Sequence, residues 1–222
     1  MAQHGPTFGI IGTGGFAREV LPVARAFLRR NAGLKIEPGR IVFVDRDGGE
    51  PVGGVPVLSE ADYIALEGER HFALAVGDGA VRRTLAERLE AAGCRPLSIQ
   101  ADTVLLPEDL DCGPGAVFQP FSMVTADARI GRQFQCNIYS YVAHDCVVGD
   151  YVTLAPRVCV NGNVVIEDHV YVGTGAVIRQ GRPDRPLVLG RGCVIGMGAV
   201  VTKDVAAGVT VVGNPARPLE GK

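Results

Sequence analysis

Tyr141-Val-Ala-His-Asp-Cys-Val-Val-Gly-Asp150 and Tyr151-Val-Thr-Leu-Ala-Pro-Arg-Val-Cys-Val160 carry an apolar residue at every sixth position: Val142, Val148, Leu154 and Val160. Followed outward in both directions, the column continues without a slip. It reads Leu106, Cys112, Phe118, Val124, Ile130 and Cys136 before this stretch, and Ile166, Val172 and Ile178 after it. It breaks once, at Arg179–Val188, then resumes at Leu189, Ile195 and Val201. Four positions after each column residue stand small or branched side chains such as Ala116, Ser122, Ala128, Ser140, Val152, Val158 and Ala199. One position after it stand Gly131, Asn137, Gly149, Asn161, Gly173, Gly190 and Gly196. A period of six fits neither an amphipathic helix nor plain strand alternation. It fits a short strand followed by a sharp corner, with Gly and Asn expected at the corners for their tolerance of positive φ. Three such units close one triangular coil, and stacked coils bury the column while parallel ladders satisfy the backbone. A solenoid interruption such as Arg179–Val188 is expected to form a functional loop.

The rest of the composition narrows the class. The chain has 222 residues, 47% of them hydrophobic, and a formal charge of −2. That is ample for a packed core and lacks the basic footprint of a nucleic-acid binder. No apolar run reaches membrane-spanning length and residues 1–12 do not read as a signal peptide, so neither a membrane nor secretion is expected, and the expected location is the cytoplasm. The cysteines at 94, 112, 136, 146, 159 and 193 form no C-x-x-C pair and are expected to be small buried thiols, four of them (112, 136, 146 and 193) at inward repeat positions; no metal site is expected.

Residues 7–100 follow another pattern. Phe8-Gly-Ile-Ile11 reads as a buried strand, after which Gly12-Thr-Gly-Gly-Phe-Ala-Arg-Glu19 opens a helix reaching about Asn31, with Gly33 as its expected cap. Ile41-Val-Phe-Val44 is a second strand ending at Asp45, and Phe72-Ala-Leu-Ala-Val76 a third ending at Gly77-Asp78. A helix follows with Val81, Leu85 and Leu89 on one stripe. Alternation of this kind indicates a small parallel sheet with its loops at the carboxyl ends of the strands. Gly12-x-Gly14-x-x-Ala17 matches a loose dinucleotide fingerprint, in which backbone N–H groups at a helix start meet a phosphate. Gly14, Gly15, Phe16, Asp45, Arg46, Gly77 and Asp78 are therefore the candidate substrate-binding residues of this half, with a plain strand–helix turn and an N-cap role for Asp78 as open alternatives. The sheet stops near residue 100, about half a full Rossmann domain, which disfavours a redox NAD enzyme. The expected division is 1–104 for a Rossmann-like domain and 105–222 for a parallel β-helix.

Val148-Gly-Asp-Tyr-Val-Thr153, Val172-Gly-Thr-Gly-Ala-Val177 and Ile195-Gly-Met-Gly-Ala-Val200 resemble the hexapeptide repeats of acyltransferases, and Gly213-Asn-Pro-Ala-Arg217 is similar to the family's exit from the repeat. With the Gly-rich sheet domain in front, the chain resembles the sialic acid O-acetyltransferase type of sugar acetyltransferase, which includes N-acetyltransferases of nucleotide-linked amino sugars such as bacillosamine and perosamine. The resemblance implies a left-handed coil, a first domain that holds a nucleotide-linked amino sugar, and a homotrimer whose neighbouring prisms sandwich acetyl-CoA.

His144 is implied as the catalytic base, and imidazole suits that task near neutral pH. Of the other histidines, His4 lies in the tail, His71 precedes a strand, and His169 takes an outward repeat position and is expected to be solvated. Asp145 is implied to support the charge of His144, and the N–H of Gly162 to face the acetyl carbonyl oxygen. Acetyl-CoA contacts are implied near Gly173, Thr174, Gly196 and Met197. Thr153 stands where some relatives carry a second histidine, which leaves it a possible hydroxyl contact, and Phe16 stands where relatives often have histidine. The competing readings are an O-acetyltransferase acting on a sugar or sialic acid, a zinc carbonic anhydrase, which would need three imidazoles, and a non-catalytic β-helix binding protein.

Overall fold

A computed structural model describes residues 5–219, so His4 lies outside the described residues. The chain opens with β1 (Thr7–Ile11), α1 (Gly15–Arg30), β2 (Ile41–Asp45), β3 (Asp47–Val52), β4 (Val55–Ser59), α2 (Glu60–Ala65), β5 (Arg70–Leu74), α3 (Gly79–Ala91) and β6 (Arg95–Pro96). These strands form one sheet in the order β3-β4-β2-β1-β5-β6, parallel except for β3. Central strands covered on both faces read as unbroken apolar runs, and β1 is buried along its length. On one face α1 packs Ala17, Val20 and Ala24 against Phe8, Ile10 and Phe43. On the other, α2 and α3 bring Tyr63, Ala86 and Leu89 against Val42, Phe72 and Leu74. The α1 cap is not Gly33: the helix stops at Asn31, whose Nδ2 and backbone N–H both donate to Phe27 O. His71 lies within β5, not ahead of it.

The second half is a three-faced prism of parallel sheets. The first face stacks Ile99–Gln100, Val117–Phe118, Gln135–Cys136, Thr153–Leu154, Tyr171–Val172, Val194–Ile195 and Thr210–Val212, and ends on the antiparallel Arg217–Pro218. The second stacks Met123–Val124, Tyr141–Val142, Cys159–Val160, Val177–Ile178 and Val200–Val201; the third stacks Asp111–Cys112, Arg129–Ile130, Val147–Val148, Val164–Ile166 and Leu187–Leu189. Each strand pairs with the strand three units away, as Tyr141 does with Met123 and Cys159. The six-residue column forms the core: from Phe118 to Ile178 every member is buried, with Leu106 and Cys112 packed at its end. The six cysteines are unpaired thiols, and burial pushes that of Cys136 up to about 12. The ladder begins at Ile99, ahead of residue 105. Among the described residues no helix is long and apolar enough to cross a membrane.

The corners work differently from expectation. Left-handed backbone falls at every sixth residue from Gly115 to Gly175, and its occupants include Phe121, Asp127, Tyr139, Asp145, Tyr151 and Asn163. The glycines expected to supply positive φ, such as Gly131 and Gly173, sit two residues before those positions and have none. Their task is clearance between stacked coils: a Cβ on Gly173 would lie 2.7 Å from Met197 N, and one on Gly131 would overlap the backbone of Gly149. The left-handed conformation costs an L-residue roughly 1–2 kcal/mol, and the parallel ladders and buried column on either side of each corner impose it there.

Candidate active site

His144 and Asp145 occupy the edge where the second face turns into the third. Stacked above them on that edge are Asn161–Asn163, then the loop at 179–186, then Thr202–Asp204. The αL conformation of Asp145 turns its carboxylate toward the preceding ring, and His144 Nδ1 lies 2.6 Å from Asp145 Oδ2. An ionised carboxylate only accepts, so Nδ1 carries the hydrogen and Nε2 keeps its lone pair. Both side chains are about half exposed.

Gly162 lies against the imidazole. A Cβ there would sit 2.6 Å from His144 Nε2 and 2.9 Å from Nδ1. Gly162 does not have positive φ; Asn163 does. The glycine is therefore required by the ring and not by the turn. Its N–H has no acceptor among the described residues, while Asn163 N donates to His144 O at 3.0 Å and Asn161 is held by Tyr141 Oη. A fixed, unspent donor thus stands beside the imidazole. Because the ring is half exposed, Gly162→Ala should swing it aside and leave the coil intact. The expected result is a fall in kcat of about 10²-fold, the size of effect that a 1 Å misplacement produces, with thermal unfolding nearly unchanged; steady-state kinetics beside a melting curve check it.

In the first domain the candidate residues gather at the carboxyl ends of β1, β2 and β5. Thr13 Oγ1 donates to Asp45 Oδ2 at 2.5 Å, and Arg46 N donates to Asp45 Oδ1 at 2.8 Å, so Asp45 ties the Gly-rich loop to the end of β2. Gly14 is the N-cap of α1 and carries no side-chain cap, and a Cβ on it or on Gly77 would meet no atom within 4 Å. The space over this loop is open. Phe16 turns inward against the core of its own domain. Asp78 caps α3, its Oδ1 accepting from the N–H groups of Ala80 and Val81.

Two expectations are corrected where this domain meets the first face of the prism. Thr153 is buried and its hydroxyl is spent: it donates to Gly77 O at 2.8 Å and accepts from Arg82 at 2.7 Å, away from His144. His169 is not solvated; it stacks on Tyr151 with ring centroids 5.2 Å apart and packs beside Gly79 at the start of α3, because the first domain covers that edge. Arg82 is the residue the sequence reading missed. The stripe of α3 is turned from expectation, leaving Val81 exposed and Arg82 fully buried. Its guanidinium donates to Val76 O and Gly77 O in the substrate loop, to Gln135 Oε1 and Thr153 Oγ1, and to Tyr151 O on the prism. Burial pushes its pKa down to about 10, still charged at neutral pH. The available signal was Gln135 and Thr153, two hydrogen-bonding side chains paired in register on the face of the prism.

Gly173, Thr174, Gly196 and Met197 stack together on the edge between the first and second faces, with Gly198 N donating to Thr174 O and Met197 almost fully exposed. They flank the second face on the side opposite His144, so one prism does not bring them to the imidazole.

Residues 8–89 match the PglD N-terminal domain family, and residues 145–180 match the bacterial transferase hexapeptide (six repeats) family. GDP-perosamine N-acetyltransferase of Escherichia coli O157:H7 is 42% identical over 219 residues, which cover 96% of this chain and 96% of that one. Among solved structures, WeeI from Acinetobacter baumannii AYE superposes with a TM-score of 0.92 at 44% identity, covering 96% of this chain and 100% of that one. The acetyltransferase domain of PglB from Neisseria gonorrhoeae FA1090, in complex with acetyl coenzyme A, gives a TM-score of 0.84 at 29% identity, covering 96% and 98%.

Proposed function

The chain belongs to the hexapeptide-repeat sugar N-acetyltransferases that use acetyl-CoA, and on that footing we propose that its acceptor is the amino group of a GDP-linked amino sugar of the perosamine type, with His144 as general base. The observation that carries the catalytic reading is the imidazole held by Asp145 with Nε2 free, beside the unspent N–H of Gly162. His144 Nε2 accepts the proton as the amine attacks the thioester carbon. The N–H of Gly162 stabilises the oxyanion that develops. The tetrahedral intermediate then collapses, the C–S bond breaks, and the proton passes to the departing CoA sulfur. The family's left-handed coil and a cytoplasmic reaction, where acetyl-CoA is made, belong to the same reading. CoA release measured against a panel of GDP-, UDP- and dTDP-linked amino sugars and unlinked sugars tests it. Turnover only with a hydroxyl acceptor would overturn it.

The open loop at Gly12–Phe16 supports placing the nucleotide there, where backbone N–H groups at the start of α1 can approach a phosphate. Gly14→Val adds a side chain whose Cβ meets no atom of the chain within 4 Å. It is expected to raise KM for the nucleotide sugar tenfold or more while KM for acetyl-CoA stays within a few-fold. The reverse pattern, seen when each substrate is varied in turn, would make the first domain a cofactor module.

The separation of His144 from the edge carrying Gly173 and Met197 supports a homotrimer, in which one copy's catalytic edge faces the other edge of its neighbour. Light scattering is expected to give three times the chain mass. A fully active monomer would contradict the shared site.

A further inference from the structure

We propose that Cys146, a buried thiol with no part in the chemistry itself, is a positioning residue that holds the Asn161–Gly162 peptide with its N–H turned to the reacting edge. The proposal deepens the oxyanion role given to Gly162 above and rests on that reading. Cys146 is buried in the core of the prism with Val142, Val148 and Val164. Its Sγ lies 3.3 Å from Asn161 O and 3.6 Å from His144 O. A thiol has one hydrogen to donate. His144 O already accepts from Asn163 N at 3.0 Å, whereas Asn161 O has no other donor among the described residues. The hydrogen therefore goes to Asn161 O. Burial pushes the pKa of Cys146 up to about 11, so the thiol keeps that hydrogen at neutral pH.

The direction of this contact sets the direction of the donor. The Asn161 carbonyl points inward to Sγ, and in a trans peptide the following N–H points the opposite way. The Gly162 N–H is thereby turned to the outer side of the corner, where the imidazole of His144 lies against Gly162. The peptides on either side are held by the neighbouring coils. Asn161 N donates to Ile178 O at 3.3 Å, and Gly162 O accepts from Gly181 N at 3.0 Å. The Asn161 side chain is held as well, accepting from Tyr141 Oη at 3.0 Å and donating to Ile178 O at 2.8 Å. Between these anchors the 161–162 peptide makes one hydrogen bond among the described residues, the one from Cys146.

Stereochemistry does not hold that peptide. Turning it over changes ψ of Asn161 and φ of Gly162, and glycine accepts a positive φ that other residues resist. Position 162 has to be glycine, because any Cβ there would strike His144. The residue that makes room for the ring thus leaves the peptide able to flip, and a contact from inside the coil has to fix it. Without the thiol the inward carbonyl is a buried acceptor with no donor, which favours the flipped peptide with its N–H turned in. The repeat contains the same device one unit earlier with a hydroxyl in place of the thiol: Ser140 Oγ donates to Ala155 O at 2.7 Å, across the same fifteen residues that separate Cys146 from Asn161.

Cys146→Ala and Cys146→Ser, in wild type and in Gly162→Ala, test the assignment. Alanine and serine both occupy equivalent positions of the repeat, at Ala128, Ala176, Ser122 and Ser140, so folded variants are expected. Cys146→Ala should lower kcat at least tenfold, toward the 10²–10³-fold loss on removing such a donor outright, with KM for both substrates within a few-fold. Cys146→Ser keeps a donor at the same place and should recover most of kcat, although a buried hydroxyl leaves its Tm no higher than that of Cys146→Ala. In the Gly162→Ala background, where alanine resists the flip, Cys146→Ala should add little to the loss already present. Wild-type kcat in Cys146→Ala, or a kcat that follows Tm through the two variants, would reduce Cys146 to packing and overturn the proposal. Hydrogen exchange of the Gly162 amide, read by NMR on glycine-labelled protein without substrate, separates this result from the acceptor reading. Exchange should slow in Cys146→Ala, as the N–H turns inward, and return toward the wild-type rate in Cys146→Ser; an unchanged rate in Cys146→Ala would overturn the positioning role. Wild type that acetylates no amino sugar would remove the acceptor assignment and leave the amide measurement to decide the role of Cys146.

Discussion

Replacing His144 with alanine is expected to lower kcat by roughly 10²–10⁴, the usual reach of general-base catalysis, while acetyl-CoA affinity stays nearly constant. The expectation follows from the geometry at the prism edge. The ring is half exposed and spans no part of the core, so its loss removes a proton acceptor and little packing. Its Nδ1 partner, Asp145, is held by the coil itself through Asp145 N to Ala126 O at 3.1 Å, and keeps its position without the ring. Asp145→Asn should fall between wild type and His144→Ala, because an amide can still accept from Nδ1 but no longer offers the negative charge that stabilises the imidazolium. Rapid-quench or steady-state CoA release, together with acetyl-CoA titration of the same preparations, decides the matter. Turnover within a few-fold of wild type in folded His144→Ala would require another base.

Arg82→Ala is expected to destabilise the protein by about 3–5 kcal/mol, the range for breaking a buried charged network by removing one partner. The side chain joins α3 and the loop at Val76–Gly77 to Gln135, Tyr151 and Thr153 of the prism. Deleting it leaves the carbonyls of Val76 and Tyr151 and the amide of Gln135 short of a donor, and opens a void the length of an arginine. Of these acceptors Gly77 O alone retains a second donor, Thr153 Oγ1. For a chain of this size the loss corresponds to a drop in Tm of roughly 6–20 °C. Arg82→Lys keeps the charge but not the fork that reaches two backbone segments at once, so partial recovery is expected. A melting curve of Arg82→Ala superposable on wild type would show that the domain contact does not depend on this residue.

The residues that fail a local reading are those whose partners lie far away in the chain. Arg82 sits where a helical stripe calls for solvent, and only Gln135, Tyr151 and Thr153, many residues downstream, make burial of its charge tolerable. Thr153 and His169 occupy outward repeat positions that resemble those on the open faces. Nothing within the repeat says that the first domain covers that face and that edge. Val81 is the converse, an apolar residue left exposed because the cap at Asp78 and the strut at Arg82 fix the rotation of α3. The hairpin of β3 and β4 was not legible either, since Asp47-Gly-Gly-Glu-Pro carries no apolar alternation.

The sequence by itself determined the prism and its core, because a six-residue period repeated over many units admits one economical burial: apolar column inside, corners outside, backbone satisfied by the coil above and below. It likewise determined the small parallel sheet, whose strands are continuous apolar runs ending in Gly and Asp, while His144, Asp145 and Gly162, on one corner and the next, were singled out by the family resemblance their segments carry. The tertiary structure alone decided what each corner residue does. Positive φ went to Asp145 and Asn163 and clearance to Gly162, because a Cβ at Gly162 would collide with a ring that belongs to the coil below. It also decided which outward side chains face solvent and which face the first domain. Burial on the outside of a solenoid depends on a second body that the repeat's own periodicity does not encode.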